Sequence, residues 1–294
     1  MQTAELLRKV RRIEIRSRHL VEDLFAGQSK SVFQGRGIEF EEVRPYLPGD
    51  EVRDIDWNVT ARLGAPYVKR FVEERELTVF LVVDVSRSMR FGTTGVEKSE
   101  LAAELCAVLG FAALRNDDRV GLLLVDDRVR HFVPPARGRS HLLRVLRDVL
   151  EASEEGGGTR LGEAARFLLR TVSRRSVVFW ISDFEDAIDP DDFRGLGRRH
   201  DLTALALRDP RDEVLPDAGW VEIEDLETGV RRMVRTGSRR VREAYRQTAR
   251  EHWSRIEHDL RQARCPLLEI RTDRSYLPVL LTYFARRRRG RGAA

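Results

Sequence analysis

The sequence predicts an α/β protein: a mostly parallel sheet flanked by helices, preceded by one helix and a small β-rich module. Three observations predict it. From Leu77 onward, short apolar runs alternate with segments of helical period; one run, 79–83, is apolar at every position; and residues 27–75 are broken into brief alternating pieces by "GRG", "LPGD" and "LGAP". Alternating strands and helices make βαβ crossovers and hence a parallel sheet covered on both faces. A strand that is apolar throughout is one that such a sheet buries on both sides.

Each element follows from its own pattern. Residues 3–25 place Leu6, Leu7, Val10, Ile13, Leu20, Val21 and Leu24 at helical spacing, giving one amphipathic helix that packs on a neighbour. Residues 27–75 give turns between short strands, with Phe40, Tyr46, Ile55 and Trp57 as a half-buried face. Arg44, Asp50, Arg53, Asp54, Asp56 and Arg62 add dense alternating charge, which either pairs internally or forms a docking surface. Then come strand 77–84, helix 98–115, strands 119–125 and 128–133, helices 140–152 and 161–172, strand 176–182, helix 190–198 and strand 202–208. "VGLLLVDDRVRHFV", with Asp126 and Asp127 at its middle, predicts a hairpin that adds an antiparallel edge. A second hairpin turning at 227–229, a long helix over 238–264 and a last strand in "LLEIRT" complete the chain. The expected divisions are an N-terminal helix (1–26), the β-rich module (27–75), the α/β domain (76–285) and a basic disordered tail (286–294).

Composition narrows the function classes. Of 294 residues, 41% are hydrophobic and 34% charged, the balance of a globular chain and not of a disordered one. The longest apolar runs are about nine residues, against roughly 20 for a bilayer span, and the N-terminus has scattered charges with no apolar core or cleavage site. A cytoplasmic location is the expectation. Cys106 lies in an apolar helical pattern and Cys265 precedes Pro266, so both read as inert buried thiols. The net charge of +5 would suit nucleic acid, yet Arg286, Arg287, Arg288, Arg289 and Arg291 account for it, and they read as a solvated tail. No nucleic-acid-binding motif is present.

Ligands of an open α/β sheet sit beyond the carboxyl ends of its strands. Three segments arrive there: Asp84-x-Ser86-x-Ser88; "GGGTRLGEA", in which Thr159 follows three glycines; and "VVFWISDFED", in which Asp183 ends a buried strand. Taken singly, each is a cap or a turn. Taken together they bring two carboxylates and three hydroxyls, all hard oxygen donors, to one edge. That chemistry suits Mg²⁺ or Mn²⁺ in an incomplete shell with an open position, which attracts an anionic group. The glycine-rich stretch lacks the lysine and the spacing of a phosphate-binding loop.

Asp84, Ser86 and Ser88 with Met89 after them, then Thr159, then Asp183, resemble the metal-ion-dependent adhesion site of von Willebrand factor A domains, all five positions matching in order. The resemblance implies that these residues hold the ion directly or through water and that a partner's acidic residue completes its shell. "GRGIEFEEVRPYLPGDEVRDIDWNVTARLGAPYVKRF" resembles the signature of the bacterial DUF58 family, whose members carry a von Willebrand A-like domain downstream. It implies partnership with MoxR-type AAA+ ATPases and other von Willebrand A proteins in assembly or chaperone-like work. Many relatives bear transmembrane helices, so any membrane role of this chain would pass through partners.

The expected function is therefore a non-enzymatic interaction module. The competing reading is a Mg²⁺-dependent phosphate-ester hydrolase. That chemistry asks for an acid where Ser86 stands and for a lysine near the later loop, and no histidine or glutamate presents itself as general base.

Overall fold

The structure is a computed structural model that describes residues 3–24, 39–47, 50–52, 55–72, 77–152, 158–186, 188–226 and 229–289. In chain order the elements are α1 (Thr3–Leu24), β1 (Glu39–Pro45), α2 (Trp57–Leu63), β2 (Tyr67–Val72), β3 (Thr78–Asp84), a 3-10 turn (Arg87–Arg90), α3 (Lys98–Arg115), β4 (Arg119–Val125) and β5 (Val129–Ala136). They continue with α4 (Arg139–Ala152), α5 (Leu161–Thr171), β6 (Val177–Ser182), α6 (Pro190–Arg199), β7 (Asp201–Arg208), α7 (Pro210–Glu213), β8 (Trp220–Glu224), β9 (Arg231–Arg235), α8 (Arg239–Gln262), β10 (Leu267–Arg271) and α9 (Leu277–Arg289). Two units result, one formed by 1–32 with 78–294 and the other by 33–77.

The larger unit is the mostly parallel sheet flanked by helices that the alternation predicts. Its six strands run β10-β7-β6-β3-β4-β5, and only β5 is antiparallel to its neighbour. Counted within this sheet, the order from the β5 edge is third, second, first, fourth, fifth, sixth. That is a doubly wound sheet, and the strand order reverses between β3 and β6, where the fold opens its ligand crevice. All of β6 is buried, as is β3 after Thr78.

The helix α3 is buried on almost every side, because the sheet lies under it and α1 packs over it. Leu6, Val10, Ile13 and Val21 supply the buried stripe of α1. Glu14 of α1 accepts from Arg139 at 2.7 Å, and Arg16 donates to Glu104 at 2.8 Å. The N-terminal helix packs on α3 and α4 and groups with the α/β unit, where the sequence reading set it apart as 1–26.

The C-terminal boundary is also corrected. α9 continues through Arg286 to Arg289, where a disordered tail was expected. Arg287 donates to Asp201 and to the Tyr283 hydroxyl and is only 12% exposed, so burial of its stem and two partners hold the last turn. Residues 290–294 lie outside the described residues. The second hairpin, β8 with β9, forms as expected; Glu227 and Thr228 of its turn are outside the described residues, and Gly229 takes the left-handed φ of 72°.

Among its described residues the smaller unit combines a two-stranded sheet with a short helix. β1 and β2 pair antiparallel, and between them lies α2, which the alternating pattern does not predict. Asp56 caps it, accepting from the backbone N–H groups of Asn58 (3.0 Å) and Val59 (3.2 Å), and Gly64 at φ 74° ends it. Trp57, expected on a half-buried strand face, opens this helix and is 65% exposed. Arg44 grips Asp50 with both guanidinium nitrogens, at 2.8 and 2.7 Å. Arg53 and Asp54 lie outside the described residues.

Candidate functional site

Asp84 is the last residue of β3 and is 1% exposed. Its Oδ1 accepts the backbone N–H of Ser86 at 2.8 Å, and its Oδ2 accepts the hydroxyl of Ser182 at 2.6 Å. Ser182 is the last residue of β6, so this bond ties the two strands at the switch point together. Burial pushes the Asp84 carboxyl up to about 7, and the nearby charge of Asp183 pushes in the same direction. Beyond Asp84 the chain enters the 3-10 turn, where the Ser86 and Ser88 hydroxyls lie 3.0 Å apart and Met89 is buried.

Asp183 follows β6 and is 4% exposed. The chain leaves it through Phe184 at φ 58°, a left-handed conformation that is costly for a bulky residue. Two contacts offset that cost: the Phe184 N–H donates to Ser182 Oγ at 2.9 Å, and the fully buried ring meets Phe193 edge-on at 6.4 Å.

Thr159 precedes α5. The N-cap position belongs to Arg160, whose side chain makes no capping bond, so the hydroxyl of Thr159 is not engaged as a helix cap. The segment is fixed by its neighbours: Arg160 N–H donates to the Asp126 carbonyl at 2.8 Å, and Leu161 N–H to Asp186 at 3.3 Å. These bonds place Thr159 between the end of β4 and the loop after β6.

Two side-chain oxygens of this set, Thr159 Oγ1 and Asp183 Oδ1, are buried without a hydrogen-bond partner. Buried oxygens are seldom left so, and an orphan calls for an ion or a water. Among the described residues no three His, Cys, Asp or Glu side chains converge as metal ligands. The donor set is therefore two carboxylates with hydroxyls, which fits a hard, largely hydrated cation and fits neither zinc nor a thiophilic metal. The two thiols are buried and free, and burial pushes Cys265 up to about 12.

Two partners were not legible in the sequence. Ser182 is one. The other is Lys98, 2% exposed, whose ammonium lies 3.0 Å from Asp183 Oδ2 and 3.0 Å from Asp212 Oδ2. Burial alone would push this amine down, but the charges of Asp183, Asp212 and Glu185 outweigh it and hold the ammonium above its usual range. Beside Asp183 opens a cavity of about 310 Å³ lined also by Glu185, Asp212, Tyr245 and His252. The imidazole of His252 is 3.5 Å from Glu185. α3 brings Lys98 and α8 brings His252 to the site from distant sequence, while Glu185 stands two residues after Asp183.

The family described as "Protein of unknown function DUF58" matches residues 42–255. The chain belongs to the DUF58 family. A relative named Uncharacterized protein Mb1516, from Mycobacterium bovis, is 34% identical over 289 residues, which cover 97% of this chain and 91% of the relative. Among solved structures, the conserved hypothetical protein BatB from Bacteroides thetaiotaomicron is 16% identical at a TM-score of 0.42, covering 72% of this DUF58 chain and 99% of its own. The SpRpn10 VWA domain is 15% identical at a TM-score of 0.37, with coverage of 72% and 94%. At such scores neither likeness bears on what this DUF58 chain does.

Proposed function

We propose that this DUF58 protein is a non-enzymatic interaction module that holds Mg²⁺ or Mn²⁺ through Asp84, Ser86, Ser88, Thr159 and Asp183 and docks an acidic residue of a partner. The observation that carries the reading is the pair of orphaned buried oxygens, Thr159 Oγ1 and Asp183 Oδ1, at the switch point of the sheet. A bound divalent ion supplies local positive charge with an open coordination position. The chain's own residues supply the rest. Ser182 and the Ser86 N–H orient Asp84, and the bonds at Arg160 and Leu161 seat Thr159. The cavity beside the site is lined by Asp183, Glu185 and Asp212, whose three carboxylates face Arg208 and the single Lys98 ammonium, so a divalent ion adds the positive charge that would draw in a partner's carboxylate. Partner binding then depends on the ion. From the family resemblance, the partner to test first is a MoxR-type AAA+ ATPase or another von Willebrand A protein, met in the cytoplasm.

The test is surface binding of wild type, Ser86→Ala and Thr159→Ala to such an ATPase, in Mg²⁺ and in chelator. Each change is expected to weaken binding by about two to three orders of magnitude, the scale of losing one member of a desolvated charge pair. Equal affinities throughout would reject ion-mediated docking.

One observation favours the hydrolase reading: Lys98 lies beside Asp183, with His252 and Glu185 on the adjoining cavity. Ser86 still occupies the place of its second acid. Phosphate-ester hydrolysis by the wild type that is lost in Asp84→Ala would transfer the protein to that class.

A further inference from the structure

The site carries a cation of its own. Lys98 is not a surface lysine that has folded inward, because its surroundings are built. Its backbone N–H donates to the Phe91 carbonyl at 3.0 Å, and its ammonium lies 5.7 Å from the centroid of the Phe91 ring. The intervening loop closes tightly on itself at Gly92, where a Cβ would meet the Val96 carbonyl oxygen at 2.2 Å. Thr93 then pins that loop to Asp209, through its N–H at 2.9 Å and its hydroxyl at 2.6 Å. Asp209 in turn forms a capping box with Asp212, which fixes the second carboxylate that faces the ammonium. Cation and carboxylates are thus held by three separate elements.

A buried ammonium persists only where its charge is matched. Here one of the matching carboxylates is Asp183, which accepts Lys98 on Oδ2 while its Oδ1 stays orphaned. We infer that Lys98 is the resident counter-cation of this site, and that a divalent ion engages Asp183 only in competition with the Lys98 ammonium. The inference rests on the ion site proposed above. With the ammonium in place, the charge of Asp183 is already shared, so the shell undercompensates a divalent ion. A lysine suits the role because a point charge on a flexible stem can shift toward Asp212 and release Asp183, which a rigid guanidinium fork does less readily. Lysines number only four among the 53 basic residues of this chain, so an ammonium here stands out from its arginine background.

Calorimetric titration with Mn²⁺ alone tests this, comparing wild type with Lys98→Met and with the charge-balanced double variant Lys98→Met, Asp212→Asn. Should Lys98→Met not fold in the absence of ion, Lys98→Gln, whose amide still donates to Asp183, replaces it, with circular dichroism as the check. The expected result is Mn²⁺ affinity raised about tenfold or more in the neutral variants, with a melting temperature that rises more steeply with Mn²⁺ than in wild type. Binding by the variants where the wild type binds none would also support the inference, while removing the ion from the wild-type function. Equal or weaker binding by folded variants of a binding wild type would overturn the inference and leave the proposed function standing. Folded protein that binds Mn²⁺ in neither form would overturn both.

Discussion

Asp84 shows most plainly how the fold tunes a single group. Its carboxyl is pushed up to about 7 by burial and then by Asp183, so in the absence of ion the folded state holds a proton that the unfolded state releases near pH 4. Stability contributed by that proton is present at pH 4 and is lost as pH rises toward 7. In chelator, Asp84→Asn is therefore expected to melt several degrees above wild type at pH 8, with the gap closing toward pH 4; a gap independent of pH would contradict the assignment. Affinity for the proposed ion should have the opposite slope, since the carboxylate form of Asp84 would be the ligand. The five candidate residues stood out in the sequence because they cluster at or just beyond the ends of β3 and β6 and just before α5. Lys98 and Ser182 did not, because they reach Asp183 and Asp84 across 85 and 98 residues of sequence, where spacing carries no signal.

Among elements, α9 departs furthest from the sequence reading. Residues 286–289 read as a solvated basic tail, and nothing local reveals that Asp201 at the start of β7 pairs with Arg287. Truncation after Ala285 is expected to lower stability by about 1–3 kcal/mol, the cost of removing a charged hydrogen-bond partner from a largely buried site. Thermal melts of the truncated and full-length proteins check the loss. α1 tests the same principle at the other end. Ile13→Ala should cost about 2–4 kcal/mol, because Ile13 is 8% exposed against the α/β core and its loss leaves a cavity; a change within experimental error in denaturant unfolding would mean that α1 is not part of that core. The sheet strands and long helices were predictable from periodicity alone, since burial on two faces or one stripe writes itself into sequence. The short α2 was not, because seven residues give too little period and its capping by Asp56 competes with the same residues' reading as paired charge.

For the whole molecule, an ion that binds the folded chain and not the unfolded one stabilises it by mass action, about 2.7 kcal/mol at a hundredfold excess over the dissociation constant. Wild type should accordingly gain melting temperature with Mn²⁺ and lose the gain in chelator, while Asp84→Ala shows neither; a gain of equal size in Asp84→Ala would place the ion elsewhere. The doubly wound order was legible as a class from strand and helix alternation. The position of the reversal, between β3 and β6, was not, because strand order is set by how crossovers pack and not by any one segment.

That reversal has a consequence for the order in which the chain can fold. β4 and β5 are joined by a short hairpin and can pair as soon as both exist, whereas β3 and β6 pair only after the long stretch between them has been made. Until β6 arrives, β3 is an exposed parallel edge rich in valine, the kind of surface through which nascent chains associate wrongly. Asp183 and the partners of Lys98 arrive with or after β6, so a half-synthesised chain has no ligand set to offer. Uptake of the proposed ion would then require that synthesis has passed β6 and that the β3 edge has been covered.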